Sequence, residues 1–210
     1  MRVYLIRHGE SLSNASRLRQ GREGGLTQEG QAQARAVSRK INEFPIDRIF
    51  SSPFERASET AGFLAEELSL SVEYREVLGE WANPSSIIGR SIDDPEVIKA
   101  ADEINLRAGD PSWRKEDGEN FFDVRNRARE FLETLDSVQN ESVAVVSHRW
   151  FSQVLFAYAL FGESLPLELF PGVLKDLHFY NCAFGVFERE ADGWKIVSWN
   201  ESDHLNYLKK

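Results

Sequence analysis

The sequence predicts an α/β fold: a three-layer, doubly wound, mostly parallel sheet with helices on both faces and an inserted cap segment. Three observations lead to it. Val3, Tyr4, Leu5 and Ile6 form an unbroken apolar run, as do Val143, Ala144, Val145 and Val146, and such short runs read as strands buried on both faces. Stretches with apolar residues at helical spacing alternate with the strand-like runs, the pattern of α/β domains. Each run also ends in polar residues, Arg7 and His8 after the first and Ser147 and His148 after the second. The carboxyl ends of strands are where open α/β sheets bind ligands.

Residues 11–25 are polar and rich in arginine and glycine, which reads as a loop lying over the sheet end. Thr27 reads as the N-cap of a helix with the stripe Ala34, Val37, Ile41 and Phe44, stopped by Pro45. Residues 47–50 are a second short strand. Ser52, Pro53 and Glu55 make a helix start, with serine as cap, proline in first position and glutamate closing a capping box. Ala57, Ala61, Leu64 and Leu68 continue that helix, and residues 72–77 are a third strand. Between 82 and 118 the pattern loosens around Asn83-Pro84, Gly89, Asp94-Pro95 and Gly109-Asp110-Pro111, leaving one short helix near 96–104. A structureless stretch of that length is uncommon unless it is functional, so it is expected to be a cap or lid within a single domain spanning 1–210. Phe121, Val124, Ala128, Phe131 and Leu135 mark a long helix, and residues 150–161 an apolar one closed by Gly162. Residues 183–188 and 194–199 read as a hairpin turning at Asp192-Gly193.

The composition, 210 residues with 41% hydrophobic and 28% charged, suits one soluble domain. A formal charge of -9 argues against nucleic acid and anionic membrane as partners. It also makes any phosphate site a local cationic focus on an acidic body. Cys182 is alone, so no internal disulfide forms. With no leader pattern and no apolar run approaching a membrane span, the expected location is cytoplasmic.

The pair Arg7-His8 at a strand end suits an anion, phosphate above all. Arg56 falls in the first turn of its helix, where a cation opposes the helix dipole unless an anion occupies the helix end; a solvated surface arginine is the alternative. Arg7-His8-Gly9-Glu10 directly after the first strand resembles the histidine phosphatase superfamily, also called the phosphoglycerate-mutase-like family. Ser51-Ser52-Pro53-Phe54-Glu55-Arg56-Ala57-Ser58-Glu59-Thr60-Ala61, Leu78-Gly79-Glu80 and Ser147-His148 follow in that family's order. The resemblance covers 2–68 and 118–160 well, the hairpin weakly and the middle hardly at all. It implies that His8 accepts the phosphoryl group, that His148 donates to a phosphate oxygen beside it, and that Arg7 and Arg56 contact phosphate. It implies further that Glu80 is the proton donor and that Asn14, Gln20 and Gly21 are phosphate or substrate contacts, while Glu10 and Ser11 shape the turn. From local sequence alone Glu80 reads as readily as an exposed carboxylate, and Asp93, Asp94 or Glu119 could take its role.

The expected reaction is metal-independent hydrolysis of a small phosphomonoester through a phosphohistidine, with no cofactor. His8, His148, His178 and His204 lack metal-ligand spacing; His178 reads as a core histidine and His204 as a solvated one. No Gly-x-x-x-x-Gly-Lys-Ser/Thr loop is present, which argues against nucleotide-dependent kinase chemistry. Trp113 and Trp150 are candidates to line a pocket for an apolar substrate moiety, core packing being the alternative. Two departures from the family pattern stand out. Arg149 follows the second histidine where relatives often have glycine, and Trp81-Ala82-Asn83 follow Glu80 where cofactor-dependent phosphoglycerate mutases show Arg-His-Tyr. The second departure favours a phosphatase over the runner-up, a phosphomutase of the same mechanism; a catalytically idle phospho-ligand binder is third. No motif specifies the substrate or the oligomeric state.

Overall fold

A computed structural model of the chain describes residues 1–138, 141–167, 176–191 and 193–208. Six strands form one mixed sheet: β1 (Arg2–Arg7), β2 (Arg48–Ser51), β3 (Val72–Tyr74), β4 (Ser142–Ser147), β5 (Phe184–Glu190) and β6 (Gly193–Glu201). Their spatial order is β3-β2-β4-β1-β5-β6. β1 to β4 run parallel to one another, while β5 is antiparallel to β1 and to β6. The α-helices with bounds among the described residues are α1 (Leu12–Ala15), α2 (Gln28–Ile41), α3 (Glu55–Leu68), α4 (Pro95–Leu106), α5 (Phe121–Leu135) and α6 (Arg149–Phe161).

The apolar runs build two cores because side chains alternate across a strand. Val3, Leu5, Phe50, Val143 and Val145 face one side and pack with Phe131 of α5 and Phe151 and Leu155 of α6. Tyr4, Ile6, Ile49, Ala144 and Val146 face the other, against Ala34 and Val37 of α2 and Ala61 and Leu64 of α3. The register, with Val3 beside Val143 and Leu5 beside Val145, keeps like faces together. Each such aliphatic or aromatic side chain contributes about 1.5–3 kcal/mol by leaving water, so unbroken apolar strands are what a sheet covered on both faces requires. The three layers follow.

Local signals and tertiary demands differ at several element ends. Thr27 caps α2, accepting from the Gly30 amide at 2.9 Å, but the helix ends at Ile41, well before Pro45. α3 starts at Glu55 with Phe54 at the cap position and no side-chain capping bond. Ser52 is not its cap, and Pro53 and Glu55 do not play the capping parts, because the Ser52 hydroxyl is spent on the Phe54 amide (3.2 Å) and the His148 ring (2.8 Å). β3 is shorter than the expected 72–77: only Val72 to Tyr74 pair with the short β2, and Glu76–Leu78 turn into a 3-10 helix. Both hairpin strands are longer than expected; Asp192 lies outside the described residues. Gly193 takes φ +135°, a value open to glycine.

The segment 82–118 carries α4 and a small cluster of its own, Ile87, Val97 and Ala100. Its residues pair by backbone with the loop that leaves α1: Arg19 N–H to the Arg90 carbonyl and Gly89 N–H to the Arg19 carbonyl, both 2.9 Å.

Two glycines set how closely α2 approaches the turn after β1. A Cβ on Gly9 would lie 2.5 Å from the Gly30 carbonyl oxygen, and one on Gly30 only 2.0 Å from the Glu10 carbonyl oxygen. Alanine in a helix is worth about 1 kcal/mol over glycine. Main chain held on both sides cannot yield, so in Gly30→Ala the overpacking wins. The expected result is a net loss of about 2 kcal/mol, read as a melting midpoint lowered by about 4–8 °C.

Candidate active site

Parallel pairing brings the carboxyl ends of β1 and β4 side by side, Arg7 opposite Ser147. His8 and His148, the next residues, are therefore neighbours, with ring centroids 5.0 Å apart at 60°. Both are buried. His8 Nδ1 meets the Gly9 carbonyl at 2.7 Å, an acceptor, so that nitrogen carries the proton and Nε2 carries the lone pair. Arg56 Nε donates to His8 Nε2 at 3.3 Å, and Arg56 Nη1 donates to the Gly21 carbonyl at 2.9 Å. Arg7 Nη1 donates to the Phe179 carbonyl at 2.6 Å. Arg7 Nε and His148 Nδ1 are buried with no hydrogen-bond partner among the described residues; unmade bonds of this kind cost free energy and mark places where a ligand oxygen would be welcome.

Burial first, then the charges of Arg56 and Arg7, hold His8 well below the ordinary imidazole value; burial, Arg56 and His8 do the same to His148. Burial lowers Arg7 to about 10 and Arg56 to about 10, with Glu80 opposing the fall in both. At neutral pH the site thus holds two neutral imidazoles and two charged guanidiniums. An unfolded chain protonates both histidines below their ordinary value of 6.5, while the folded chain does not. The unfolded state therefore binds more protons there, and stability falls as pH drops below 6.5 until the depressed folded values are reached. The expected slope is about 1.4 kcal/mol per pH unit for each histidine, measurable from denaturant midpoints at pH 7 and 5.5.

Glu80 sits at the amino end of α6, which has His148 at its cap position. Its Oε1 accepts the Trp81 and Phe151 amides at 2.9 and 3.0 Å, and its Oε2 accepts the Trp150 amide at 3.2 Å. The Trp150 and Phe151 amides it accepts are among those that a helix amino end leaves without an intrahelical partner. Arg127 of α5 donates to the Val77 and Gly79 carbonyls at 2.7 and 2.9 Å and pairs with Glu119 at 2.7 Å. The other candidate acids are committed elsewhere. Asp93 pairs with the exposed Arg17, Asp94 caps α4 and pairs with Arg90, and Glu119 holds Arg127.

The remaining predicted contacts surround this centre. Asn14 Oδ1 accepts from the Ser11 amide (3.2 Å) and Asn181 Nδ2 (3.3 Å), Gln20 Nε2 donates to Ser11 Oγ (2.9 Å), and Gly21 contributes the carbonyl that holds Arg56. Glu10 accepts from the Thr27 hydroxyl and Ser11 caps α1, so both shape the turn. Arg149 lies near enough to Arg7 to lower it electrostatically. Trp150 packs partly buried against the core, and Trp113 stacks with Arg107 at 4.6 Å rather than on either histidine. His178 is not a core residue: it is exposed and stacks on Tyr180, because the described residues around it (176–181) join no strand. His204 is not free in solvent either; it is partly buried and its Nε2 meets the Cys182 carbonyl at 2.9 Å. Among the described residues no three His, Cys, Asp or Glu side chains gather as metal ligands, and no helix is long and apolar enough to cross a membrane.

Sequence reasoning missed Asn181, which donates to the His8 carbonyl at 2.9 Å, and Thr60, whose hydroxyl links the Gly9 amide (3.1 Å) to the Arg56 carbonyl (2.7 Å). Asn181 lies far down the chain in no motif. Only the antiparallel pairing of β5 with β1 carries it to the end of β1.

Comparison with known proteins was made against this geometry. The chain is 27% identical over 212 residues to "Probable phosphoglycerate mutase GpmB" of Erwinia tasmaniensis, covering 98% of this chain and 95% of that relative. The fold is similar to that of a phosphoserine phosphatase from Entamoeba histolytica in complex with 3-phosphoglyceric acid (TM-score 0.79, 22% identity, 97% of this chain and 98% of that one). It is similar also to a mycobacterial glucosyl-3-phosphoglycerate phosphatase in complex with VO3 (TM-score 0.78, 24% identity, 96% and 99%). The family described as the histidine phosphatase superfamily (branch 1) matches residues 3–202. Since that match runs from the first core strand through the last, the chain as a whole belongs to the histidine phosphatase superfamily.

Proposed function

We propose that this protein is a metal-independent phosphomonoester hydrolase that acts on a small phosphorylated metabolite through a phosphohistidine. The observation that carries the reading is the neutral imidazole pair, 5.0 Å between centroids, with Arg56 on the lone-pair side of His8. A phosphate dianion is a better acceptor for the Arg56 guanidinium than a neutral imidazole. Its arrival draws Arg56 onto the phosphate oxygens and releases His8 Nε2 for in-line attack. The N–P bond forms as the P–O bond to the substrate alcohol breaks. Arg7, Arg56 and His148 hold the equatorial oxygens, and Arg7 Nε and His148 Nδ1 gain the partners they lack. Asn14, Gln20 and Gly21, on the loop after β1, supply further phosphate or substrate contacts, and the Gly21 carbonyl orients Arg56.

Glu80 completes the cycle. Oε1 already accepts two amides, whereas Oε2 accepts one at 3.2 Å, which leaves a lone pair on Oε2 to carry a proton. Protonated Glu80 gives that proton to the departing alkoxide. The resulting carboxylate takes one from the water that attacks phosphorus, which breaks the N–P bond, releases phosphate and restores His8. The segment 82–118, paired to the loop bearing Gln20 and Gly21, acts as the cap of this single domain.

The test is phosphate release from a panel of phosphomonoesters with a chelator present; rates that depend on a divalent metal would sink the reading. Glu80→Gln refines it. A positioned general acid is worth about 10²–10⁴ in rate, so single-turnover release of an alkyl alcohol should fall by that much. Release of a phenol, a leaving group that needs little protonation, should fall far less. Equal losses on the two would remove Glu80 from the acid role. The phosphoglycerate mutase name of the Erwinia relative supports a second reading, phosphoryl retention and transfer. It is distinguished by stimulation with a bisphosphorylated primer and by product phosphate that stays esterified.

A further inference from the structure

We infer that Arg127, paired with Glu119, is a positioning residue: it clamps the backbone turn that presents Glu80 and joins that turn to both ends of the 82–118 segment. The inference rests on the acid role of Glu80 proposed above. Arg127 Nη1 donates to the carbonyls of Val77 (2.7 Å) and Gly79 (2.9 Å), and Nη2 reaches the Glu80 carbonyl at 3.4 Å. These bonds gather the carbonyls of Val77, Gly79 and Glu80 itself round one guanidinium, while the Glu80 side chain turns toward the amides of α6. The Ser147 hydroxyl donates to the Leu78 carbonyl at 2.7 Å and ties the same turn to the end of β4. The face of the guanidinium rests on the Phe151 ring, 4.8 Å to the centroid. Phe151 is also the residue whose amide bonds Glu80 Oε1, so one side chain orders the acid's backbone and touches the residue that holds its carboxylate.

Glu119 carries the clamp to the carboxyl side. Its Oε1 and Oε2 each meet Arg127 at 2.7 Å, and Oε2 also accepts the Ala82 amide at 2.9 Å. Its own amide donates to the Ala82 carbonyl at 3.0 Å, and its carbonyl accepts the Trp81 indole N–H at 2.9 Å. The chain thus leaves for the 82–118 excursion and returns from it at the same ion pair. A displacement of that segment reaches Glu80 through two or three covalent residues.

A lysine cannot replace this arrangement, since a single ammonium lacks the planar fork that engages carbonyls and a bidentate carboxylate together. Misplacing a catalytic group by about 1 Å costs about 10²-fold in rate. In Arg127→Ala and Arg127→Lys, single-turnover alcohol release from an alkyl phosphate should therefore fall by about 10²-fold. Phenol release from an aryl phosphate should fall much less, and KM for both should change little. Against a Glu80→Gln background the same substitutions should add almost nothing on the alkyl substrate, because the group they position is already disabled. Glu119→Gln, which retains an acceptor for the Ala82 amide, is the milder variant should the arginine variants not fold, and it should show the same selectivity to a smaller degree. Equal losses on alkyl and aryl substrates, or full additivity with Glu80→Gln, would overturn the inference in favour of a merely structural ion pair. If Glu80→Gln itself shows no alkyl–aryl difference, it is the acid assignment that fails instead.

Discussion

His8→Ala should lose activity by a factor on the order of 10⁶, the scale on which removal of a covalent nucleophile acts. The reason is geometric. In the proposed mechanism His8 Nε2 bears the lone pair that forms the N–P bond, and His148, the other imidazole, is turned to Ser52 through its own Nε2 at 2.8 Å. Among the described residues no second imidazole is therefore aimed at the same phosphorus. The variant should also fail to trap phosphate that is labile to acid and stable to base after a brief reaction with radiolabelled substrate. Removing the ring leaves Arg56 Nε and the Gly9 carbonyl without their partner, at a cost of about 1–3 kcal/mol for an unmet buried group. A melting curve beside the rate measurement separates that from loss of the nucleophile. A folded His8→Ala protein with a tenth of wild-type activity would end the phosphohistidine reading.

Arg56→Ala should cost about 10³–10⁵ in kcat, as expected of an arginine that stabilises charge on a transferring phosphoryl group. Its side chain is 1% exposed and held by the Gly21 carbonyl and His8 Nε2, so the guanidinium is oriented before substrate arrives. Arg56→Lys should recover only part of the loss, because an ammonium cannot hold the Gly21 carbonyl and span a phosphate in the same pose. Because the interaction strengthens as charge develops, both variants should lose more affinity for vanadate, a transition-state mimic, than for substrate. A fall in vanadate affinity no larger than the rise in KM would show that Arg56 binds ground and transition states alike.

The neutrality of the two histidines links these expectations to the fold. Each is pushed below its ordinary value chiefly by burial, and burial arises because β1 and β4 end side by side beneath the amino end of α6. The same enclosure that keeps His8 unprotonated should make the protein less stable in acid. Activity should therefore persist below pH 6.5 for as long as the chain stays folded.

Much of this was legible in the chain itself. Unbroken apolar strands determined a sheet covered on both faces, and the stripes Ala34-Val37-Ile41 and Phe121-Val124-Ala128 marked the helices that cover it. Local chemistry placed Arg7, His8 and His148 at strand ends and Arg56 in the first turn of a helix, and the family resemblance joined the four as expected partners of one anion. These signals are local, since strand and helix periodicities are written within a few residues. Where two local readings competed, the sequence could not choose. Ser52 reads as a helix cap until His148 arrives from across the sheet, and only the family resemblance sets Glu80 ahead of Asp93, Asp94 and Glu119 as the acid.

Tertiary structure alone decided which partners these side chains have. The register of β4 beside β1 and β2 brought Ser52 to His148, and the approach of α6 to the turn after β3 gave Glu80 the amides it accepts. The pairing of β5 with β1 brought in Asn181, and the packing of α5 brought Arg127 to the turn that bears Glu80. Hydrogen bonds between residues distant in sequence leave no periodicity in the chain. They depend on the relative placement of whole elements, which the sum of many weak burial terms sets and no single motif encodes.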